Sequence, residues 1–377
     1  MSKIKSYDVG SMPFIDGFDK FSKGAINFNS ILPLLHGRDH PSYEPIRYFE
    51  EKVIKGFLDK LEAGINVPNY PQFRDMNAMF LDQIEGIEKS GNNYLIIKNL
   101  SVKPDIAKIP EVQIIKRYSR RIYEKIGNPF EMKICITGPY TLSSFFLNRR
   151  SGIFKELSKV LSEFVSNNIH KNKYSKVELV AIDEPTFGFL NDPLIDYGSE
   201  GREELLKAWE NIFHKVVSMG AYSCIHLHNT ADDLFWEINS LNIIESHTKD
   251  PIYESKSTKQ LLEKKDKFLK ASICITDFDR LIRDKISAES QEIDEITLIQ
   301  KVDKAWTEIK QGRIDPNDFL ESIEIIIKRL KKIVDNYGVE RVPYAGPECG
   351  MKGFPNYESA LEYLKRVSYA IKNFSQN

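Results

Sequence analysis

Residues 177–188 read VELVAIDEPTFG, and this stretch decides the fold. Its apolar residues fall on successive positions rather than alternate ones, the pattern of a parallel strand buried on both faces. The run stops at Asp183 and Glu184, and a turn leads into a helical pattern over 201–219. Working outward, runs of the same kind follow at SCIHLHNT (223–230), LNIIESH (241–247), LKASICITDFD (269–279) and ERVPYAGPECG (340–350). Before it stand IKSYDVGSMP (4–13) and KICITGPYT (133–141). An eighth candidate, INVPNY (65–70), is interrupted by Pro68, which cannot donate to a ladder.

Helical patterns fill the intervals at 45–64, 151–169, 201–219, 316–337 and 357–374. The first has a proline near its start and Gly64 as its stop. Strand then helix, repeated around the chain, predicts a (β/α)8 TIM barrel, one domain over 1–377. A doubly wound open sheet is the competing architecture, but no GxGxxG follows the first strand. Two stretches exceed a minimal barrel. Residues 90–110 read as a hairpin or excursion after the second strand, and residues 283–337 as a charged helical extension before the last one.

The chain is 377 residues long and 41% hydrophobic, which excludes whole-chain disorder. Lys+Arg 53 against Asp+Glu 54 leaves no broad electrostatic footprint for nucleic acid or an anionic membrane. No apolar run approaches the roughly 20 residues of a membrane span. The opening MSKIKSYDVGSMP lacks the apolar stretch of a signal peptide, so a cytoplasmic location is expected. Cys135, Cys224, Cys274 and Cys349 form no CxxC pair and suggest no disulfide scaffold. The first three sit inside apolar runs and read as small buried residues.

In a parallel barrel the active site is built by the loops after the strands' C-terminal ends. The polar residues fall there: Asp8, Gly10 and Ser11; Asp183 and Glu184; His226 and His228; Glu245 and His247; Glu348 and Cys349. His226, His228, Glu245 and Cys349 make a mixed nitrogen, oxygen and sulfur set that suits zinc better than calcium or magnesium. Each histidine alone is as readily a hydrogen-bonded strand-end residue; for Asp183 and Glu184 the competing reading is a pair of helix caps or salt-bridge partners, against which the flanking strand and proline stand.

The motifs DVGSMP (8–13), RDM (74–76), ITGPYTL (136–142), IDEPTFG (182–188), IHLHN (225–229), IIES (243–246) and PECGMKGFP (347–355) occur in one order along the chain. In this the chain resembles the catalytic barrel of the cobalamin-independent methionine synthase family, in its short, single-barrel archaeal form. The resemblance implies a zinc ion that binds homocysteine as thiolate, held by His226, Glu245 and Cys349. The family's HxC cysteine falls on His228, a departure that leaves the metal about one charge more positive; His247 is an alternative ligand. Gly10 and Ser11 fall where the family holds the amino acid's carboxylate, and Asp183 where it holds the ammonium. A further family glutamate falls near Tyr70 or Gln72.

The donor is read from what is missing. Methyl-tetrahydrofolate needs a general acid at the departing nitrogen, which the family supplies from a histidine in a DxH element after the seventh strand. This chain has ITDFDR there, leaving Asp277 or Asp279 as weak proton donors. A methylcorrinoid, on a corrinoid carrier protein, needs no such acid and is the expected donor. The alternatives are methyl transfer to another thiol such as coenzyme M, or a barrel that binds metal or amino acid without catalysis.

Overall fold

The computed structural model describes residues 4–14, 16–31, 43–103, 106–189, 191–289 and 293–374. Its strands are β1 (Lys5–Ser6), β2 (Glu85–Ser90), β3 (Asn93–Ser101), β4 (Phe130–Thr137), β5 (Ser175–Glu184), β6 (Tyr222–Leu227), β7 (Ile243–Glu245), β8 (Phe268–Cys274) and β9 (Tyr344–Pro347). Seven of them form a parallel sheet in the order β1-β9-β8-β7-β6-β5-β4. The six residues from Leu179 to Glu184, in the stretch that decided the fold, are all buried, as two-sided coverage requires.

The segment around Pro68 closes the ring. Val67 bridges Tyr7, just after β1, and Asn69 bridges Lys133 of β4, both in parallel sense. Val67 N–H donates to Ser6 and Lys133 N–H to the carbonyl of Pro68. A proline can accept but not donate, so this eighth member makes isolated bridges rather than a continuous ladder. The (β/α)8 barrel read from the sequence is the fold found.

Inside the ring, Tyr7, Val67, Leu179, Ala181, Cys224, Ile243 and Tyr344 pack as one small apolar cluster. A far larger core lies between sheet and helices. Helix Glu200–Ser218 shows how it is made: Ser199 caps its start by accepting from Arg202 N–H, and Leu205, Ala208, Trp209, Ile212, Phe213 and Val216 form its buried stripe. Cys135, Cys224 and Cys274 are all buried, as small apolar residues would be.

Both expected excursions are present, with different limits. The hairpin is β2–β3, beginning at Glu85 rather than at 90. Tyr94 N–H donates to Phe145 and Leu147 N–H to Tyr94, tying it to the chain after β4. In the charged stretch, helix Ile323–Tyr337 buries Ile326, Leu330, Ile333 and Tyr337 and is the crossover to β9. Helices Phe278–Glu289 and Glu295–Lys310 are the added pair. Residues 104–105 and 290–292 of these stretches lie outside the described residues. Among the described residues no helix is long and apolar enough to cross a membrane.

Candidate metal centre

Strand register brings the centre together. Thr137 pairs with Asp183, Asp183 with His226, and His226 with Glu245, so four adjacent strands present these residues at one level of the ring. Side chains two apart on an extended segment share a face. His228 therefore stands above His226, and His247 above Glu245, one step nearer the mouth.

The ligand atoms of His226, His228, His247 and Cys349 all lie within 4.8 Å of one another. Cys349 Sγ is 3.4 Å from His228 Nε2, and the rings of His228 and His247 are 4.1 Å apart. A tetrahedral zinc site with bonds of about 2.0–2.3 Å has ligand–ligand edges of roughly 3.3–3.8 Å. The surroundings fit a metal in a second way. His226 Nδ1 and Nε2, His247 Nε2, Glu245 Oε1 and Asp183 Oδ1 are buried and have no hydrogen-bond partner among the described residues. Each such atom costs about 1–3 kcal/mol unless something completes it. Three imidazoles and a thiolate are zinc donors.

Of the four residues expected to bind metal, the structure brings His226, His228 and Cys349 into this group and adds His247. Glu245 stands behind it. Its Oε1 is 3.0 Å from His226 Nδ1, and its Oε2 accepts from Tyr7 OH at 2.6 Å and lies 3.1 Å from Lys270 Nζ. The physical reason is charge: Lys133 and Lys270, both fully buried, draw the carboxylate toward the barrel interior. These lysines and Tyr7 escaped the sequence analysis. The signal was present, since KICIT and LKASIC each carry one lysine inside an apolar strand.

Burial alone would raise the Cys349 thiol, but His226, His228 and His247 outweigh it and hold it well below its usual range. Burial lowers His226 while Glu245 and Cys349 raise it, to about 10. Burial dominates at His228, which is lowered. Glu245 is held well below the carboxylate range because Lys270, Lys133 and His226 together exceed its desolvation. Burial lifts Asp183 to about 6 despite His226 and Lys133.

The other expected residues sort by contact. Gly10 has φ +140°, and a Cβ there would meet Asn69 Nδ2 at 2.3 Å, so only glycine fits. Ser11 accepts from Met351 N–H through its carbonyl, and its hydroxyl packs so closely on Gly350 that a Cβ on Gly350 would overlap it. Ser11 is thus beside the Cys349 turn. Glu184 takes the structural role considered for the acidic pair. It accepts from Tyr140 N–H (3.0 Å), Thr141 N–H (2.7 Å) and the Trp209 indole (2.8 Å), leaving Asp183 for the interior. Gln72 donates through its backbone to Gly10. Asp277 and Asp279 are exposed; Asp277 accepts from Arg280 N–H and Asp279 from the Trp306 indole.

No family model matches the chain. In sequence it is 22% identical over 329 residues to a methionine synthase of Sulfolobus acidocaldarius, covering 84% of this chain and 79% of that one. It is 21% identical over 325 residues to the methionine synthase of Sulfurisphaera tokodaii, covering 85% and 80%. In structure it is similar to a B12-independent methionine synthase from Shewanella sp. W3-18-1 in complex with selenomethionine, with a TM-score of 0.59, 13% identity, and 99% of this chain and 98% of the other covered. A putative vitamin-B12 independent methionine synthase from Listeria monocytogenes gives 0.55 and 14% over the same shares. The solved structures share the barrel, and the sequence relatives extend the likeness along most of the chain. The chain is thus related in sequence to archaeal methionine synthases, which are methyltransferases, and shares its barrel fold with B12-independent methionine synthases.

Proposed function

We propose that the chain transfers a methyl group to the sulfur of homocysteine to give methionine, with zinc held by His226, His228, His247 and Cys349. The observation that carries this is the meeting of those four donor atoms within 4.8 Å beside Asp183, whose Oδ1 has no partner. Zinc, when bound, supplies a Lewis acid that keeps an incoming thiol ionised near neutral pH.

The chain's own groups do the rest. Asp183 receives the substrate ammonium, and the Gly10–Ser11 turn, packed against Gly350, receives its carboxylate. These contacts fix the sulfur at the mouth, where the deep ring excludes water from its back. The thiolate attacks the donor's methyl carbon, an S–C bond forms, and the bond to the departing group breaks with its electron pair on that group. An unpartnered carboxylate oxygen favours an amino-acid thiol over coenzyme M, which has no ammonium to offer.

Two donors are distinguished by experiment. The missing histidine after β8 argues for a methylcorrinoid, whereas relatives described as B12-independent argue for a folate. With a folate, Asp277 or Asp279 would have to supply the proton. Zinc-loaded protein is to be given homocysteine with methyl-tetrahydrofolate or with methylcobalamin. Methionine formed from either, and lost in Cys349→Ser, supports the assignment and names the donor. Stoichiometric zinc without methionine from either donor would overturn it in favour of a binding role.

A further inference from the structure

Glu245 is wholly enclosed; its Oε2 is hydrogen-bonded, while its Oε1 has only ion-pair neighbours and no hydrogen-bond partner. Tyr7 OH donates to Oε2 at 2.6 Å, with Lys270 Nζ 3.1 Å from the same atom. Oε1 has Lys133 Nζ at 3.8 Å and His226 Nδ1 at 3.0 Å. Neither lysine side chain has any exposure. Among the described residues, each has Glu245 as its sole carboxylate within 4.0 Å. Their remaining contacts are neutral: Lys133 reaches the carbonyls of Asp8 and Val9, and Lys270 reaches Ser272 Oγ and the Pro347 carbonyl. Both ammonium groups also flank the Tyr7 ring, at 4.8 and 5.3 Å.

A buried ammonium without a counter-charge is among the costliest arrangements a fold can hold. Moving Glu245 into a metal shell would leave two such groups facing each other across Tyr7. We infer that Glu245 is a positioning residue and counter-ion, held out of the metal shell by Lys133, Lys270 and Tyr7, and that His247 takes the fourth ligand position. The inference rests on the metal-centre assignment proposed above.

Glu245 then sits behind His226 as the carboxylate of a carboxylate–histidine–metal arrangement. Its Oε1 lies 3.0 Å from Nδ1, and Nδ1, Nε2 and Oε1 are all without a hydrogen-bond partner as they stand; a small turn of the ring would let Oε1 accept Nδ1–H, fix the tautomer and leave Nε2 for the metal. Three neutral imidazoles and one thiolate leave a divalent ion with a net charge of about +1. Glu245 does not cancel that charge, because the two lysines already occupy it. That charge would favour an anionic sulfur ligand over a neutral one, entering as a fifth ligand or in exchange for one of the four.

The test is the visible spectrum and stoichiometry of the full chain loaded with cobalt(II), which reports coordination without turnover. Glu245→Gln should keep the intense tetrahedral bands and one cobalt per chain, with affinity lowered roughly 10–100-fold as for an outer-shell change. His247→Asn should lose or displace those bands. The reverse pattern, with bands lost in Glu245→Gln and kept in His247→Asn, would overturn the inference and leave the metal centre standing. Failure of the unaltered chain to bind cobalt would overturn the metal centre itself. If Glu245→Gln does not fold, the double variant Glu245→Gln/Lys270→Met removes one charge of each sign and is read in the same way.

Discussion

The carboxylate of Glu348 accepts both the backbone N–H and the hydroxyl of Thr248, at 2.8 and 2.7 Å, through a single oxygen. Its other oxygen accepts Thr276 N–H at 3.0 Å. Glu348 precedes Cys349 and Thr248 follows His247, so one side chain ties two proposed ligands and the loop after β8 into a single unit.

Glu348→Ala should therefore unfasten the mouth. Three hydrogen bonds are lost at a buried site, a cost of about 2–4 kcal/mol. Thermal denaturation should show the lowered stability, and competition with a chelator should show zinc held at least roughly tenfold more weakly. Unchanged zinc affinity would mean that the ligands are positioned by their strands alone.

Cys349 is the single partly exposed thiol of the four, and its imidazole neighbours keep it ionised. Burial raises the other three. Metal-free folded protein should take up one equivalent of iodoacetamide rapidly, at a rate nearly flat from pH 6 to 8. An ordinary thiol would instead gain about tenfold per pH unit. Cys349→Ser should show no fast phase, and zinc should protect the unaltered chain.

Asp183→Asn keeps the shape of the side chain and removes its charge. KM for homocysteine should rise roughly 10–100-fold, the worth of a charge-assisted contact. Inhibition by a thiol lacking the amino group should change little. Equal weakening of both ligands would show that Asp183 acts on the metal region and not on the ammonium.

His170 offers a pH test remote from the mouth. Burial lowers its pKa to about 4, the Asn168 carbonyl opposing and Lys116 assisting. Between its ordinary value near 6.5 and 4, the unfolded chain binds a proton that the folded chain refuses. Stability is therefore lost as pH falls through this window and is unaffected above it. Denaturant titrations at pH 7 and pH 5 should show the unaltered chain losing about 1–2 kcal/mol more than His170→Gln.

Much of this was legible before any coordinates. Runs such as VELVAIDE carry two-sided burial in their composition, so the parallel barrel follows from local pattern, and Pro68 announces why one strand position is only bridged. That His226, His228, Asp183 and Cys349 would gather at one end was legible, because strand-end polar residues in a barrel have one place to point. The hairpin limits, and which of Asp183 and Glu184 takes the structural role, were not legible, because they depend on partners such as Asn93 and Trp209 elsewhere in the chain.

The sequence by itself determined the ring, its mouth and the kinds of atom gathered there, since periodicity fixes which face each side chain takes. The resemblance put Glu245 among the ligands and left His228 and His247 as alternatives, with Glu245 and His247 two residues apart along the chain. Only the tertiary structure gives Glu245 and His247 different surroundings. Lys133 from β4 and Lys270 from β8 meet Glu245 inside the closed barrel, and a buried cation must have a counter-charge wherever the chain can supply one. That requirement acts across strands, so no local pattern could contain it.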